Sequence, residues 1–164
     1  MASTYEKIST TTLGSAASTI TFSSIPATYT DIVLIFNGLR TSSGDLDLQL
    51  RFNSDTGSNY SDSELRSWPN NIAAYRNSNA TFIRLGVLTA DRGILNTHIM
   101  NYSNTTTYKT VISKQNSLNT AYGMNMKACL WRSTSAINSI TLGASAGNFE
   151  TGATATIYGI LKAA

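Results

Sequence analysis

Alternating polar and apolar residues, in short stretches separated by turn residues, dominate the chain. Residues 19–23 place Ile20 and Phe22 on one side and hydroxyl side chains on the other. The stretch Leu46–Phe52 is the clearest case, because its four apolar side chains alternate strictly with polar ones. A period of two predicts strands with one face in a core and the other in water.

One stretch departs from this alternation. Residues 31–36 are apolar after Asp31 and rich in β-branched side chains. Such a strand is either covered on both faces or lies at a contact between subunits, and the pattern leaves both possibilities open.

Turn residues mark out further strands over 81–85, 94–102, 108–114, 123–132, 137–144 and 154–161. About ten short strands at such spacing are typical of a sandwich and not of a helical or α/β fold. We therefore predict an all-β fold, a single-domain antiparallel β-sandwich of jelly-roll-like form that spans residues 1–164. In the stretch 123–132, one face would carry Met124, Met126, Ala128, Leu130 and Arg132.

The alternation is lost over residues 53–80, which are rich in Asn, Ser and Asp and predict a long loop. Long loops in compact domains are usually functional. Large aromatic side chains in polar loops often anchor an interface, so Tyr60, Trp68 and Tyr75 are candidate interface residues. Together with Tyr102, Tyr108 and Tyr122 they would form a sugar-binding platform or would fill the core and a subunit interface. We favour the second interpretation.

Composition supports the all-β prediction and narrows the partners. Ser, Thr and Asn supply 59 of the 164 residues, whereas charged residues make up only 13%, against about 25% in typical proteins. The net charge is +3, but the arginines are scattered singly, so no specific nucleic acid partner is predicted. The start of the chain lacks a signal-peptide pattern, and no apolar run is long enough for a membrane span. We expect synthesis in a cytoplasm.

Candidate catalytic and metal-binding groups are few. The nine acidic residues stand mostly in turn-like or strand-end contexts, which predicts solvated side chains and not tuned acid/base pairs. Residues 53–59 resemble a calcium loop only in part, because the closing glutamate is missing. His98 and Cys129 are single, and Cys129 lies in an apolar run that predicts a buried thiol. We predict no metal, no cofactor and no enzymatic activity.

Segments spread over nearly the whole chain form a recognisable pattern. They are YEKISTTTLGSAA at 5–17, ITFSSIP at 20–26, YTDIVL at 29–34, RFN at 51–53, DTG at 55–57, NYS at 59–61 and 101–103, KTV at 109–111, WRST at 131–134, AINSITL at 136–142, NF at 148–149 and YGI at 158–160. This pattern resembles structural proteins of tailed bacteriophages, of the type found in cyanophages and other marine phages.

The resemblance implies a virion protein on the outer surface of the capsid, made in the bacterial cytoplasm and released by lysis. Small phage proteins of this type look like homotrimeric decoration or cement proteins, whose partners would be further copies of the chain and the major capsid protein. We expect residues 1–17 to form an N-terminal arm, with capsid contacts at Ser3, Thr4, Tyr5, Lys7 and Ile8.

Two other functions stay open. The first is an adhesion module on a head or tail fibre, which would hold host-surface glycan on its aromatic side chains. The second is an enzyme such as a polysaccharide depolymerase, which the scarcity of candidate acid/base pairs argues against.

Overall fold

All regular elements in the described part of the chain are strands, and all of their pairings are antiparallel. The computed structural model describes residues 4–39, 46–68, 71–88, 92–117 and 123–161. The strands are β1 (Tyr5–Thr12), β2 (Thr19–Phe22), β3 (Asp31–Gly38), β4 (Leu46–Phe52), β5 (Tyr60–Trp68), β6 (Asn71–Ala80), β7 (Ile83–Leu88), β8 (Gly93–Met100), β9 (Lys109–Ser117), β10 (Met124–Trp131), β11 (Ile140–Ala144) and β12 (Thr154–Ile160).

The strands form two sheets of unequal size. The large sheet has eight strands in the order β1-β12-β3-β8-β9-β10-β5-β6, and the small sheet has four in the order β2-β11-β4-β7. The predicted all-β sandwich is confirmed. A jelly roll, which has eight strands in two Greek keys, is not confirmed by this division.

The core lies between the small sheet and part of the large one. On β4 the side chains Leu46, Leu48, Leu50 and Phe52 are all buried, as their alternation predicts. They pack with the apolar side chains of β3, β8 and β12 in one cluster of buried residues. At one end of this cluster the rings of Phe52 and Trp131 lie 5.4 Å apart.

Two sequence-based expectations about chain organisation are wrong. Residues 53–80 are not a long loop, because 60–68 and 71–80 form the hairpin of β5 and β6. Both strands are polar in composition, so the sequence lacks the hydrophobic alternation that would identify them. β5 is stabilised by its pairing with β6 and β10. The predicted arm 1–17 is not free over its described part, because Tyr5–Thr12 pairs with β12, with a bulge after Lys7.

A close contact near the end of β12 depends on the absence of a side chain. Tyr29 lies across Gly159, where an added Cβ would come within 2.2 Å of the Tyr29 ring. The Tyr29 hydroxyl donates a hydrogen bond to Glu6 on β1, at 3.1 Å. The ring therefore ties the chain before β3 to the edge of the large sheet.

Replacing Gly159 with alanine should displace this ring and lower the free energy of unfolding by about 1–3 kcal/mol, because overpacking strains a filled site. The matched control is Gly143→Ala, since an added Cβ there would find its nearest neighbour at 3.9 Å. The control should leave stability unchanged or raise it by up to about 1 kcal/mol. Urea denaturation measures both variants, and equal losses would contradict the predicted contact.

Candidate functional site

The face of the large sheet that points away from the small sheet is uncovered by any described strand. We call it the outer face, and it consists of the alternate residues of each strand that point away from the core. Soluble monomers rarely expose a large contiguous apolar surface, so such a face marks an interaction site. It carries most of the exposed large apolar side chains, namely Tyr5, Ile35, Leu65, Ile72, Ile94, Met124 and Met126.

The apolar part of the outer face is densest over β9, β10, β5 and β6. Leu65 stands opposite Met126 on one side and Ala74 on the other, so three apolar side chains form a row across the strands. A concave region of about 640 Å³ lies here, and its walls also include Ile112 and Ala128. Of the side chains predicted to share one face, Met124, Met126, Ala128 and Leu130 do share the outer face of β10, whereas Arg132 lies beyond the end of the strand.

The charges on the outer face are unbalanced. Lys7, Arg76 and Lys114 lie on it by their register. Asp31 is its one carboxylate among the described strand residues, and both of its oxygens accept hydrogen bonds, from His98 at 2.8 Å and from the Asn101 backbone at 2.7 Å. The face therefore offers apolar area with an excess of positive charge.

On the inner side, the same end of the large sheet buries four charged residues that contact one another, which we call the ion chain: Asp62, Glu64, Arg66 and Lys127. Lys127 on β10 lies 3.2 Å from the Asp62 carboxylate and 2.9 Å from that of Glu64. Glu64 in turn accepts a hydrogen bond of 2.7 Å from Arg66. All four side chains are nearly inaccessible. Charges at such depth are stable only when paired, as they are here.

The surroundings of Glu64 favour its ionised form. Burial by itself would raise the pKa of this carboxyl, but the hydrogen bonds from Arg66 and Lys127, together with their charges, lower it below its usual value. The expectation that acidic residues stand in solvated turns is wrong for Asp62 and Glu64, which are buried within β5.

A side-chain clamp joins the two sheets next to this ion chain. Gln115 on β9 accepts a hydrogen bond from the backbone N–H of Val87, at 3.1 Å, and donates one to the Val87 carbonyl. Gly86 permits this approach, because an added Cβ would meet the Gln115 amide oxygen at 1.9 Å. The clamp occupies backbone groups on the edge strand β7, which would otherwise be open to pairing.

A small cavity of about 290 Å³, which we call the polar pocket, opens beside the ion chain where the small sheet ends at β7. Arg84 reaches it from β7 and forms an ion pair of 2.6 Å with Asp47. Two buried atoms of its walls, Asp62 Oδ2 and Arg84 Nε, have no hydrogen-bond partner within the described ranges. The walls include Asp62, Glu64, Arg66, Tyr75, Arg76 and Arg84.

The segment with partial likeness to a calcium loop, residues 53–59, is a polar turn. Asp55 Oδ1 accepts a hydrogen bond from the Gly57 backbone at 2.8 Å. Its Oδ2 accepts from the Asn59 amide at 3.0 Å and from the Trp131 indole at 2.7 Å. Both carboxylate oxygens are thus engaged, and Oδ2 anchors Trp131 to the turn. Among the described residues, no group of three or more His, Cys, Asp or Glu side chains is placed to hold a metal ion.

The predicted capsid-contact residues fall at the β1 edge of the large sheet. Tyr5 and Lys7 lie on the outer face, opposite Ile160 and Tyr158. Thr4 is exposed just before β1, whereas Ile8 is partly buried against the core. Ser3 lies outside the described residues. The structure thus brings Tyr5 and Lys7 onto the same surface as the apolar row of Leu65.

The aromatic residues predicted to form an interface have different environments in the structure. Tyr60 is a fully buried core residue whose ring stacks on Trp131 at 6.3 Å, so its assignment to an exposed loop is wrong. Tyr75 is 49% exposed and lines the polar pocket. The side chain of Trp68 lies outside the described residues. Of the other aromatics considered, Tyr102 is buried, Tyr108 is 53% exposed and Tyr122 lies outside the described residues.

The single cysteine is buried, as its apolar surroundings predict. Burial, with a further contribution from the Asp62 carboxylate, raises the pKa of the Cys129 thiol to about 12. The thiolate that nucleophilic chemistry needs is therefore scarce at neutral pH.

Comparison with known proteins adds no relative. No protein-family model matches this chain, and no curated protein is significantly similar to it. No helix that could cross a membrane occurs in the part of the chain that the structure describes. The fold and the surface define the class: an all-β sandwich with one large uncovered sheet face.

The ion chain generates a prediction about acid stability. Because folding lowers the pKa of Glu64, its ionised form stabilises the fold above the unfolded pKa, near 4.5, and this contribution is lost as the pH falls. The free energy of unfolding should therefore fall more steeply from about pH 5 to pH 3 in the wild type than in Glu64→Gln. Denaturant titrations at several pH values measure this slope. Glu150→Gln, outside the cluster, should keep the wild-type slope, and an equally steep slope in Glu64→Gln would refute the linkage.

Proposed function

We propose that this protein is a structural component of a bacteriophage particle and that it decorates the outside of the capsid as a homotrimer. The outer face supports this proposal most directly, because an uncovered apolar sheet face is a surface built for assembly. The resemblance to structural proteins of tailed phages supplies the particle to which it would belong.

The composition of the outer face favours the capsid as its partner. Lys7, Arg76 and Lys114 would repel the same face of a second copy placed against it. An apolar surface with acidic residues at its rim complements both properties of the face, and electrostatic complementarity increases the rate and the specificity of docking. We therefore infer that the outer face seats on an acidic, apolar part of the major capsid protein.

The strand β6 favours contacts between copies. It is one of the two edge strands of the large sheet, the other being β1, and most of its ten residues are exposed. Ile72 on this strand is 69% exposed. An exposed edge strand with unpaired backbone groups is a template for pairing with another chain. Three joined copies would then bind the capsid by avidity, since each further contact becomes intramolecular.

An adhesion module that holds host-surface glycan is the second candidate. The specific observation that favours it is the polar pocket, which has the exposed ring of Tyr75 among polar and charged wall residues. The pocket lies mainly on the inner side of the large sheet, but Tyr75 and Arg76 on the edge strand β6 border both the pocket and the outer face.

The proposed trimer predicts the mass of the protein in solution. Light scattering should give three times the chain mass of 17.6 kDa. Ile72→Lys should shift the mass towards that of a monomer, because a charge on the edge strand blocks pairing. A monomer at all wild-type concentrations would contradict the trimer.

Capsid binding tests the proposed function. Leu65→Asp places a carboxylate in the apolar row, so it should weaken co-sedimentation with capsids that lack this protein by at least about tenfold, or about 1.4 kcal/mol. Tyr108→Asp is the matched control, since Tyr108 is similarly exposed and lies outside the row. Wild-type binding should also weaken as salt is added. Equal binding by both variants, or no binding by the wild type, would overturn the assignment.

A further inference from the structure

We propose that the folded protein joins Lys127 to Asp62 by an isopeptide bond, in a reaction that needs no other protein and uses Glu64 as its catalytic residue. The bond is an amide between the lysine Nζ and the aspartate Cγ, and its formation releases one water molecule. The inference starts from the geometry of the ion chain and depends on neither the capsid nor the adhesion proposal.

Lys127 lies within reach of two carboxyl groups. Its Nζ is 3.2 Å from Asp62 Oδ1 and 2.9 Å from Glu64 Oε2. Because β10 pairs with β5 so that Lys127 stands opposite Glu64, Asp62 is the diagonal neighbour of Lys127 on the same face of the sheet. Groups held about 3–3.5 Å apart are close to an attack geometry, and this converts a slow reaction between two molecules into a fast step within one.

The two carboxyl groups differ in what else they contact. Glu64 also accepts a hydrogen bond of 2.7 Å from Arg66, so two cations favour its ionised form, which resists attack by an amine. Asp62 is held through Oδ1 by Lys127, and its buried Oδ2 has no hydrogen-bond partner among the described residues. Asp62 is therefore the carboxyl group that can become neutral and react.

A proton shift along the hydrogen bond between Lys127 and Asp62 prepares both reactants. Transfer from Nζ to Oδ1 converts the ammonium and the carboxylate into a free amine and a carboxylic acid, and the total charge does not change. Burial favours this neutral pair, because charged groups lose more solvation energy than neutral ones when they are removed from water.

The condensation itself uses only the three side chains. The lone pair of Nζ attacks Cγ of Asp62 and forms the N–C bond. The Glu64 carboxylate accepts a proton from Nζ and passes it to the hydroxyl that leaves Cγ, so one C–O bond breaks and one water molecule forms. No atom is oxidised or reduced, and the reaction therefore needs no cofactor or co-reactant.

The surroundings of the three side chains favour condensation over hydrolysis. The exposed fractions of the Lys127, Asp62 and Glu64 side chains are 1%, 5% and 3%. Water that would reverse the reaction therefore has little access to Cγ. The polar pocket, whose walls include Asp62 and Glu64, lies beside the site and can receive the released water.

The bond would secure the end of the large sheet that the small sheet leaves uncovered. It fastens β5, and with it the edge strand β6, to β10. A cross-link between residues distant in sequence also restricts the unfolded chain, as a disulfide does. With a single cysteine, the chain can form no intrachain disulfide of its own.

Mass spectrometry of the denatured full-length protein tests the proposal. The wild type should be lighter than its sequence by the mass of one water molecule in nearly all molecules. Trypsin cleaves after lysine and arginine, so it should release the peptides 52–66 and 115–132 joined to each other through Asp62 and Lys127. A wild type of full sequence mass, or a water lost elsewhere in the chain, would overturn the proposal.

Two variants test the roles of the residues. Lys127→Arg retains a positive charge without a nucleophilic amine, and Glu64→Gln removes the proton acceptor, so both should have their full sequence mass. The matched control is Lys114→Arg, an exposed lysine on β9, which should lose one water as the wild type does. Circular dichroism reports whether each variant is folded.

A folded Lys127→Arg that still loses one water would refute the bond, and a folded Glu64→Gln that does so would refute the catalytic role of Glu64. Leu65→Asp should retain the cross-link, because Leu65 lies on the outer face. Failure of capsid binding and failure of bond formation are therefore distinguishable.

Discussion

The structure depends on the unequal size of its two sheets. A sheet must bury one face against a second layer, and four strands cannot cover eight. Where the cover is complete, the interior is apolar, with Leu48, Leu50 and Phe52 packed on the large sheet. Beyond the edge of β7, the large sheet continues through β5 and β6 with little above it. Both candidate sites follow from the larger area of the eight-stranded sheet. The candidate docking surface is its uncovered outer face, and the polar pocket lies where the small sheet ends at β7.

The ion chain lies where the small sheet no longer covers the large sheet completely. Well-packed apolar residues often stabilise a core as much as buried ion pairs do, so stability alone gives no reason for Asp62, Glu64, Arg66 and Lys127. Their position beside an opening does give one, because charged side chains tolerate partial access to water. The chain also fixes the relative alignment of β5 and β10, since Lys127 bonds to alternate residues of the neighbouring strand.

The fold was predictable where apolar side chains filled one face of a strand. The strict alternation of Leu46–Phe52 and the apolar surroundings of Cys129 identified buried positions correctly. β5 escaped detection because neither of its faces carries an apolar run: Asp62, Glu64 and Arg66 alternate on the buried side, and serines flank Leu65 on the outer side. The sequence did contain a signal, because charged residues recur at every second position of β5. A search for alternating hydrophobic residues does not detect that pattern. The pocket was not predictable, because its walls come from strands whose pairing no local pattern specifies.

We propose that the uncovered outer face is the docking surface on a phage capsid, and cryo-electron microscopy of the intact particle can show which way this fold faces. We expect density for this fold on the head, with the outer face of the eight-stranded sheet against the capsid and the small sheet towards solvent. Density with the outer face in solvent, or density confined to the tail, would contradict it.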